Sequence, residues 1–231
     1  MTSKSQIVCA ASGAIALVTF FIMSAVGSFS SPPSPTLSAE DIAQFYRLHA
    51  TGIQVASIIQ MASLSLLLVF YAGLSSQIRR MEQGDPVLSY VSLACGTLSI
   101  AAIFMGTMFW SAAAFRPERA PQIVLMLSDM AFFQLLAPAP PASAQLLAIG
   151  AAILSNRNTP RLFPRWFGYY SIVASLLILP AVLVVMFKTG PFAWDGLWGN
   201  FAPLFGFILW AFIAQYFMVR SARSMTNPRS G

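Results

Sequence analysis

The sequence predicts an all-α fold, a polytopic transmembrane bundle of six helices forming one domain over residues 1–231. Apolar residues make up 57% of the chain and charged residues only 9%, whereas soluble domains carry roughly 25% charged residues. The charges also leave six long uncharged gaps. Because an ionised side chain in hydrocarbon is costly, each gap can hold a membrane-crossing helix of about 20 residues. The predicted helices cover residues 7–28, 50–77, 87–113, 121–155, 166–187 and 197–219.

The distribution of lysine and arginine predicts the orientation of the bundle. With both termini in the cytoplasm, nine basic residues lie inside and four outside, in agreement with the positive-inside rule. The net charge of +6 then belongs to a cytoplasmic rim, and since no basic run is interleaved with aromatic residues, we expect no nucleic-acid partner. The inside residues are Lys4, Arg79, Arg80, Arg157, Arg161, Arg165, Arg220, Arg223 and Arg229, and the outside residues are Arg47, Arg116, Arg119 and Lys188.

The first predicted helix follows Lys4. Its apolar run is longer than the roughly 7 to 15 residues of a cleavable signal peptide, so we expect a retained helix, with a cleaved leader as the alternative. Cys9 and Cys95 lie in apolar stretches without a Cys-x-x-Cys pair. They predict neither a metal site nor a redox centre.

The second predicted helix follows a capping signal at Ser38 and a short amphipathic segment. Ile42, Phe45, Tyr46 and His49 share one face of that segment, which predicts an interfacial helix that lies on the outer leaflet and then turns inward.

His49 is the only histidine of the chain, and it is aligned with Gln60 along a stripe of small and polar residues. It is either part of the interfacial anchor or a ligand or proton-relay residue. Helix three has a similar stripe, and small residues allow close helix packing. We therefore expect helices two and three to pack together. The stripe of helix three is Ser92, Gly96, Ser99, Ala102 and Gly106.

The fourth predicted helix, residues 121–155, is too long for one straight crossing. Its 35 residues would span about 52 Å, against a hydrocarbon core of about 30 Å. Pro138, Pro140 and Pro141 cannot donate to the carbonyls of Gln134, Leu136 and Ala137, respectively. Unpaired carbonyls at membrane depth are tolerated only where protein or water reaches them. The sequence therefore predicts a broken fourth helix whose break faces the bundle interior or a cavity.

Asp129 is the only acidic residue well inside an apolar run. Intramembrane ionisable residues are functional candidates by default, and Gln134 lies near Asp129 on the same helix. The alternative is a structural carboxyl group that hydrogen-bonds a neighbouring helix or reaches the headgroups. Arg116, Arg119 and His49 are the expected outer-side partners.

Helices five and six also contain prolines, Pro180 and Pro203, so all three interrupted crossings are predicted in the second half of the chain. This half is the part most suited to line a cavity. Trp194 and Trp198, in the connection between these helices, are predicted to lie at the outer membrane interface.

Three segments carry a resemblance to other proteins: DMAFFQLLAPAPPA at 129–142, FPRWFGYY at 163–170 and FKTGPFAWDG at 187–196. In these segments the chain resembles a group of bacterial six-span integral membrane proteins with no known activity. The resemblance covers roughly the C-terminal half. It implies a bacterial cytoplasmic (inner) membrane location and six helices, and it implies no reaction.

The sequence weighs against an enzyme, because it contains no P-loop, no His-Glu-x-x-His and no nucleophile elbow. We expect no cofactor and no metal. The leading hypothesis is a protein that binds or admits a small solute or hydrophobic ligand at the broken fourth helix. The alternatives are a non-catalytic assembly subunit that packs against other membrane subunits, and a membrane enzyme acting on a lipid-like substrate. The candidate ligand-binding residues are Asp129, Gln134, Pro138, Pro140, Pro141, His49 and Gln60.

Overall fold

A computed structural model describes residues 3–29, 32–156 and 162–226 of the chain. Seven α-helices run through these residues, and no β-strand occurs among them. The bounds are α1 Ser3–Val26, α2 Ala39–Met81, α3 Val87–Phe115, α4 Pro121–Leu136, α5 Ala139–Ser155, α6 Arg165–Ile178 and α7 Ala202–Thr226. A 3₁₀ segment, Leu179–Val185, follows α6, and a π-helical segment, Leu197–Phe201, precedes α7.

Six helical stretches are long and apolar enough to cross a membrane, which confirms the predicted six-span bundle. The fourth consists of α4 with α5, the fifth of α6 with the 3₁₀ segment, and the sixth of the π-helical segment with α7. The chain is therefore a multi-pass membrane protein. Arg157, Arg161 and Arg229, which belong to the predicted cytoplasmic set, lie outside the described residues.

The order of packing around the bundle closes into a ring. The helix α1 packs on α2, α2 on α3, α3 on α4 and α5, α5 on α6, and α6 and α1 on α7. The Ser3 hydroxyl donates to the Ala222 carbonyl at 2.8 Å, so the start of α1 and the end of α7 meet. We call this side of the bundle the terminal end and the opposite side, which contains Pro33 and Trp194, the cap end.

The predicted contact between α2 and α3 is confirmed, although the small residues of the two helices mostly serve other contacts. A Cβ atom at Gly52 of α2 would lie 2.6 Å from the carbonyl oxygen of Val26, the last residue of α1. A Cβ atom at Gly106 of α3 would lie 2.9 Å from the Ala131 carbonyl oxygen of α4. At these distances only glycine lets the backbones approach so closely.

The predicted interfacial helix before helix two is wrong. Residues Ala39–Met81 form one unbroken α-helix of 43 residues, which starts with Ser38 as N-cap, its hydroxyl accepting from the Asp41 backbone N–H at 3.2 Å. Ile42 and Tyr46 are buried inside the protein. They belong to a buried cluster with residues of α3 and α4 and with Trp194 of the cap end. Their face of α2 therefore packs on protein and not on lipid.

The fourth crossing is broken where the prolines predict. The helix α4 ends at Leu136 and α5 begins at Ala139, with a two-residue turn at Ala137 and Pro138. Pro140 and Pro141 lie in the first turn of α5, where a backbone N–H has no helical partner in any case. Crossings one to three are continuous α-helices, whereas four, five and six each contain an irregular segment.

Candidate functional site

A cavity of about 180 Å³ lies beside the break in the fourth crossing. We call it the break cavity. Leu136, Pro138 and Ala139 form one side of it, and residues of α1, α2, α3, the 3₁₀ segment and α7 form the rest. The helical interruptions thus surround a single space in the middle of the bundle.

The lining of the break cavity is mostly apolar, and small side chains create much of its volume. Ala16, Ala139, Ala142 and Ala181 contribute only methyl groups at positions where a leucine would fill the space. Pro203, at the start of α7, lies on the lining opposite the break. The polar lining residues are Gln60, Ser63, Tyr71, Ser99 and Asn200.

Gln60 differs in its hydrogen bonding from the two serines that line the cavity. The Ser63 hydroxyl donates to the Ala16 carbonyl at 2.8 Å, and the Ser99 hydroxyl donates to the Cys95 carbonyl at 3.0 Å. The Gln60 side chain is 2% exposed, and its Oε1 atom has no hydrogen-bond partner among the described residues. A buried acceptor without a donor costs about 1–3 kcal/mol, so the described residues leave this amide incompletely satisfied.

The structure brings together only two of the predicted candidates, Gln60 and Pro138, which both line the break cavity. Pro140 is exposed on the surface of α5 and Pro141 is half-buried outside the lining. Gln134 packs on Gly106 of α3 instead of on the cavity.

Asp129 lies away from the break cavity, towards the cap end. It is half-buried and close enough to Tyr46 and Lys188 to interact with them electrostatically. Lys188 precedes the turn between the last two crossings and is exposed. The cation whose charge acts on the Asp129 carboxyl group is therefore Lys188, which is not one of the predicted partners.

Those predicted partners make other contacts. Arg119 donates to the Ala112 carbonyl at 3.2 Å, and the Arg116 guanidinium lies 5.8 Å from the centre of the Phe115 ring. The His49 Nδ1 atom is 2.9 Å from the Phe45 carbonyl oxygen, one turn earlier in the same helix. His49 is thus half-buried beside the cap end and remote from the break cavity.

Stacked aromatic rings close the cap end, and we call Phe29, Trp110, Phe132 and Trp194 the aromatic cap. Ring centroids lie 4.3 Å apart for Phe29 and Trp110 and 4.9 Å apart for Phe132 and Trp194. The Trp194 Nε1 atom donates to the Pro33 carbonyl at 2.8 Å, which ties two loops together over the helices.

Trp194 is buried within the bundle, although the sequence predicts it at the outer membrane interface. Its side chain is 5% exposed inside the cap, whereas Trp198 is 37% exposed, as an interfacial residue would be. The turn at Gly190, whose φ of 82° requires glycine, folds the connection back so that Trp194 reaches Phe132.

Sequence reasoning also missed Tyr71 and Asn200, which line the break cavity, and Gln145, which lies beside Tyr71 and packs with it on Gly96. A signal was available, since Gln145 is a polar residue inside an apolar run, as Gln60 is. What the sequence could not supply was which of these side chains point at a common space.

The described residues contain no group of three or more histidine, cysteine or acidic side chains that could hold a metal ion. Cys9 and Cys95 are both free thiols. No protein-family model matches the chain, and neither a curated protein nor a solved structure matches it. The resemblance to the bacterial six-span group therefore stays a prediction.

Proposed function

We propose that this protein binds, or lets pass, a small hydrophobic ligand in the break cavity without chemically changing it. The observation that carries the proposal is an apolar space in the bundle with one buried amide oxygen that lacks a donor, at Gln60. A subunit that serves only for packing would not need the space, because an unfilled cavity lowers stability.

The volume limits the class of ligand. An apolar cavity of about 150 Å³ in another protein stays dry and binds benzene, so the break cavity, at about 180 Å³, fits one ring or a short branched chain. Drug-sized ligands occupy about 300 Å³ or more. A hydroxyl group on the ligand would hydrogen-bond with the Gln60 amide, which lines the cavity, while the remaining atoms contact leucine, isoleucine and alanine side chains.

Asp129, Gln134 and His49 do not belong to this proposed site. Neither Asp129 nor His49 lines the cavity. For the proposed ligand we therefore assign contacts to Gln60 and Pro138.

Phenol and toluene are matched probes, because phenol has a hydroxyl group where toluene has a methyl group of similar size. Binding to the protein in lipid nanodiscs is measured as saturable thermal stabilisation. We expect phenol to bind more tightly than toluene. One neutral hydrogen bond contributes about 0.5–1.5 kcal/mol, which predicts a roughly 2- to 12-fold preference. Gln60→Leu should abolish the preference while keeping toluene binding.

Ala142→Leu tests whether the break cavity is the site. Ala142 lines it, whereas Ala144 is also half-buried on α5 but does not. Ala142→Leu should abolish binding of both probes, and Ala144→Leu should leave binding unchanged. Equal effects of the two variants, or no saturable binding by the parent protein, would overturn the proposal in favour of an assembly subunit or a membrane enzyme.

We further propose that the protein resides in a bacterial inner membrane with its terminal end in the cytoplasm. The distribution of lysine and arginine supports this orientation. In a variant with Cys9 and Cys95 replaced by serine, a single cysteine at Ser34 should react with a membrane-impermeant maleimide in intact cells, and one at Gly84 should react only after lysis. The opposite pattern contradicts the orientation.

A further inference from the structure

A groove of about 710 Å³ runs along the outside of the bundle between α1 and α7. Its floor on α1 consists of Ile7, Ala10, Ala11 and Ala14, and its wall on α7 contains Phe212 and Tyr216. These two aromatic side chains are 44% and 60% exposed. Because the three alanines are too small to fill the space beside the rings, the two helices pack together and still leave an apolar trough.

The groove carries positive charge at one end only. Arg220 and Arg223 line it near the terminal end, one helical turn apart and both exposed. None of the seven acidic residues of the chain contributes to its lining. The trough is therefore apolar for most of its length and ends in two guanidinium groups without a carboxylate beside them.

We propose that this groove binds an anionic phospholipid, with one acyl chain on the alanine floor and the phosphate held by Arg220 and Arg223. Guanidinium groups bind phosphate oxygens through paired N–H donors. Anionic headgroups next to basic residues are recognised at the cytoplasmic membrane surface. An acyl chain fits a floor of methyl groups because it needs contact and no hydrogen bonds.

The charge complementarity argues for a lipid over a second copy of the chain. A two-fold contact through this groove would bring the arginine pairs of both copies into one interface, with no acidic lining residue to compensate them. A phospholipid provides both the apolar chain and the counter-charge. The site is remote from the break cavity and shares no lining residue with it.

The test uses the full-length protein in neutral detergent and native mass spectrometry with dioleoyl phosphatidylglycerol against dioleoyl phosphatidylcholine. The parent should retain phosphatidylglycerol preferentially. Each arginine near an anionic lipid contributes a factor of about 5, so the double variant Arg220→Gln with Arg223→Gln should bind it roughly 30-fold more weakly. Arg79→Gln with Arg80→Gln is the matched control, since this pair ends α2 outside the groove.

The shape of the groove is tested separately from its charge. Ala11→Phe should fill the floor and weaken phosphatidylglycerol binding, whereas Ala101→Phe, at an equally exposed alanine of α3, should not. Equal retention of both lipids by the parent, equal losses in the two arginine pairs, or a dimer that Ala11→Phe dissociates would each overturn the proposal. None of these results affects phenol binding in the break cavity.

Discussion

The two halves of the fourth crossing differ in how tightly other side chains pack against them. The helix α4 packs Phe132 between Trp110 and Trp194, with ring centroids 5.6 and 4.9 Å away. At the break and the start of α5, Pro138 and Ala139 instead border an open space. Both halves are apolar in sequence. The difference is that large rings from distant loops fill the first and no side chain fills the second.

Close packing and a retained cavity have different consequences. A fully packed interior is stabilised by many dispersion contacts, whereas a cavity gives up those contacts and leaves room for a ligand. The aromatic cap therefore holds the bundle together, and the break cavity is the part of the interior for which we propose a ligand.

Removing Trp194 should have the largest effect. Trp194→Ala eliminates the stack on Phe132 and the hydrogen bond to Pro33, and we expect a loss of about 3–5 kcal/mol in the free energy of unfolding. Trp198→Ala, at an exposed tryptophan a few residues later, should cost less than about 1 kcal/mol. Unfolding by SDS in mixed micelles measures both. Equal losses would contradict the structural role of the cap.

Gly106 tests the tightly packed half of the fourth crossing, because it lies where α3 contacts α4. The Cβ atom of Gly106→Ala would approach the Ala131 carbonyl oxygen to 2.9 Å, and such overpacking costs about 1–3 kcal/mol. At Gly206 of α7 the nearest atom is 3.9 Å away. Gly206→Ala should be neutral or slightly stabilising in the same unfolding assay. A neutral Gly106→Ala would show that the two helices do not approach this closely.

Gln60→Leu should change stability in the opposite direction. It removes a buried oxygen without a partner, so we expect a gain of about 1 kcal/mol in the absence of ligand. Ser63→Ala, one turn further along α2, removes the hydrogen bond to Ala16 and should cost about 1 kcal/mol. If Gln60→Leu is as destabilising as Ser63→Ala, then the amide already has a partner in the unliganded protein.

The smallest effect is expected for Asp129 and Lys188. Since Lys188 is exposed, their coupling should be about 0.2–1 kcal/mol and should weaken with salt. A double-mutant cycle of Asp129→Asn and Lys188→Gln measures it from unfolding at low and high ionic strength. A loss of phenol binding in Asp129→Asn would restore this carboxyl group to the ligand site.

Much of the architecture followed from local features of the chain. Six uncharged gaps located six crossings, and Pro138 located the break between α4 and α5 to within two residues. Such features are local because a charge or a proline acts on the backbone where it stands. The interfacial helix predicted over residues 42–49, which belong to α2, failed for a related reason. Amphipathic periodicity shows that one face of a segment is apolar, but it does not show what covers that face.

The partners of individual side chains could be predicted less well from the sequence. Asp129 was expected beside Arg116, Arg119 or His49 and instead lies near Lys188 and Tyr46. Lys188 follows it by 59 positions in the chain, and only the return of the fifth crossing brings the two together. The same return of the chain places the Trp194 side chain in the protein interior.

Hydropathy and charge spacing were sufficient for the class of protein, the number of crossings and the weak point of the fourth, because the bilayer imposes these limits on each segment separately. The position of the empty space, the choice of Gln60 over Asp129 beside it, and the closure of the cap end depend on tertiary packing. They arise from contacts between residues far apart in the chain, and the volume left among six helices is a property of no single one.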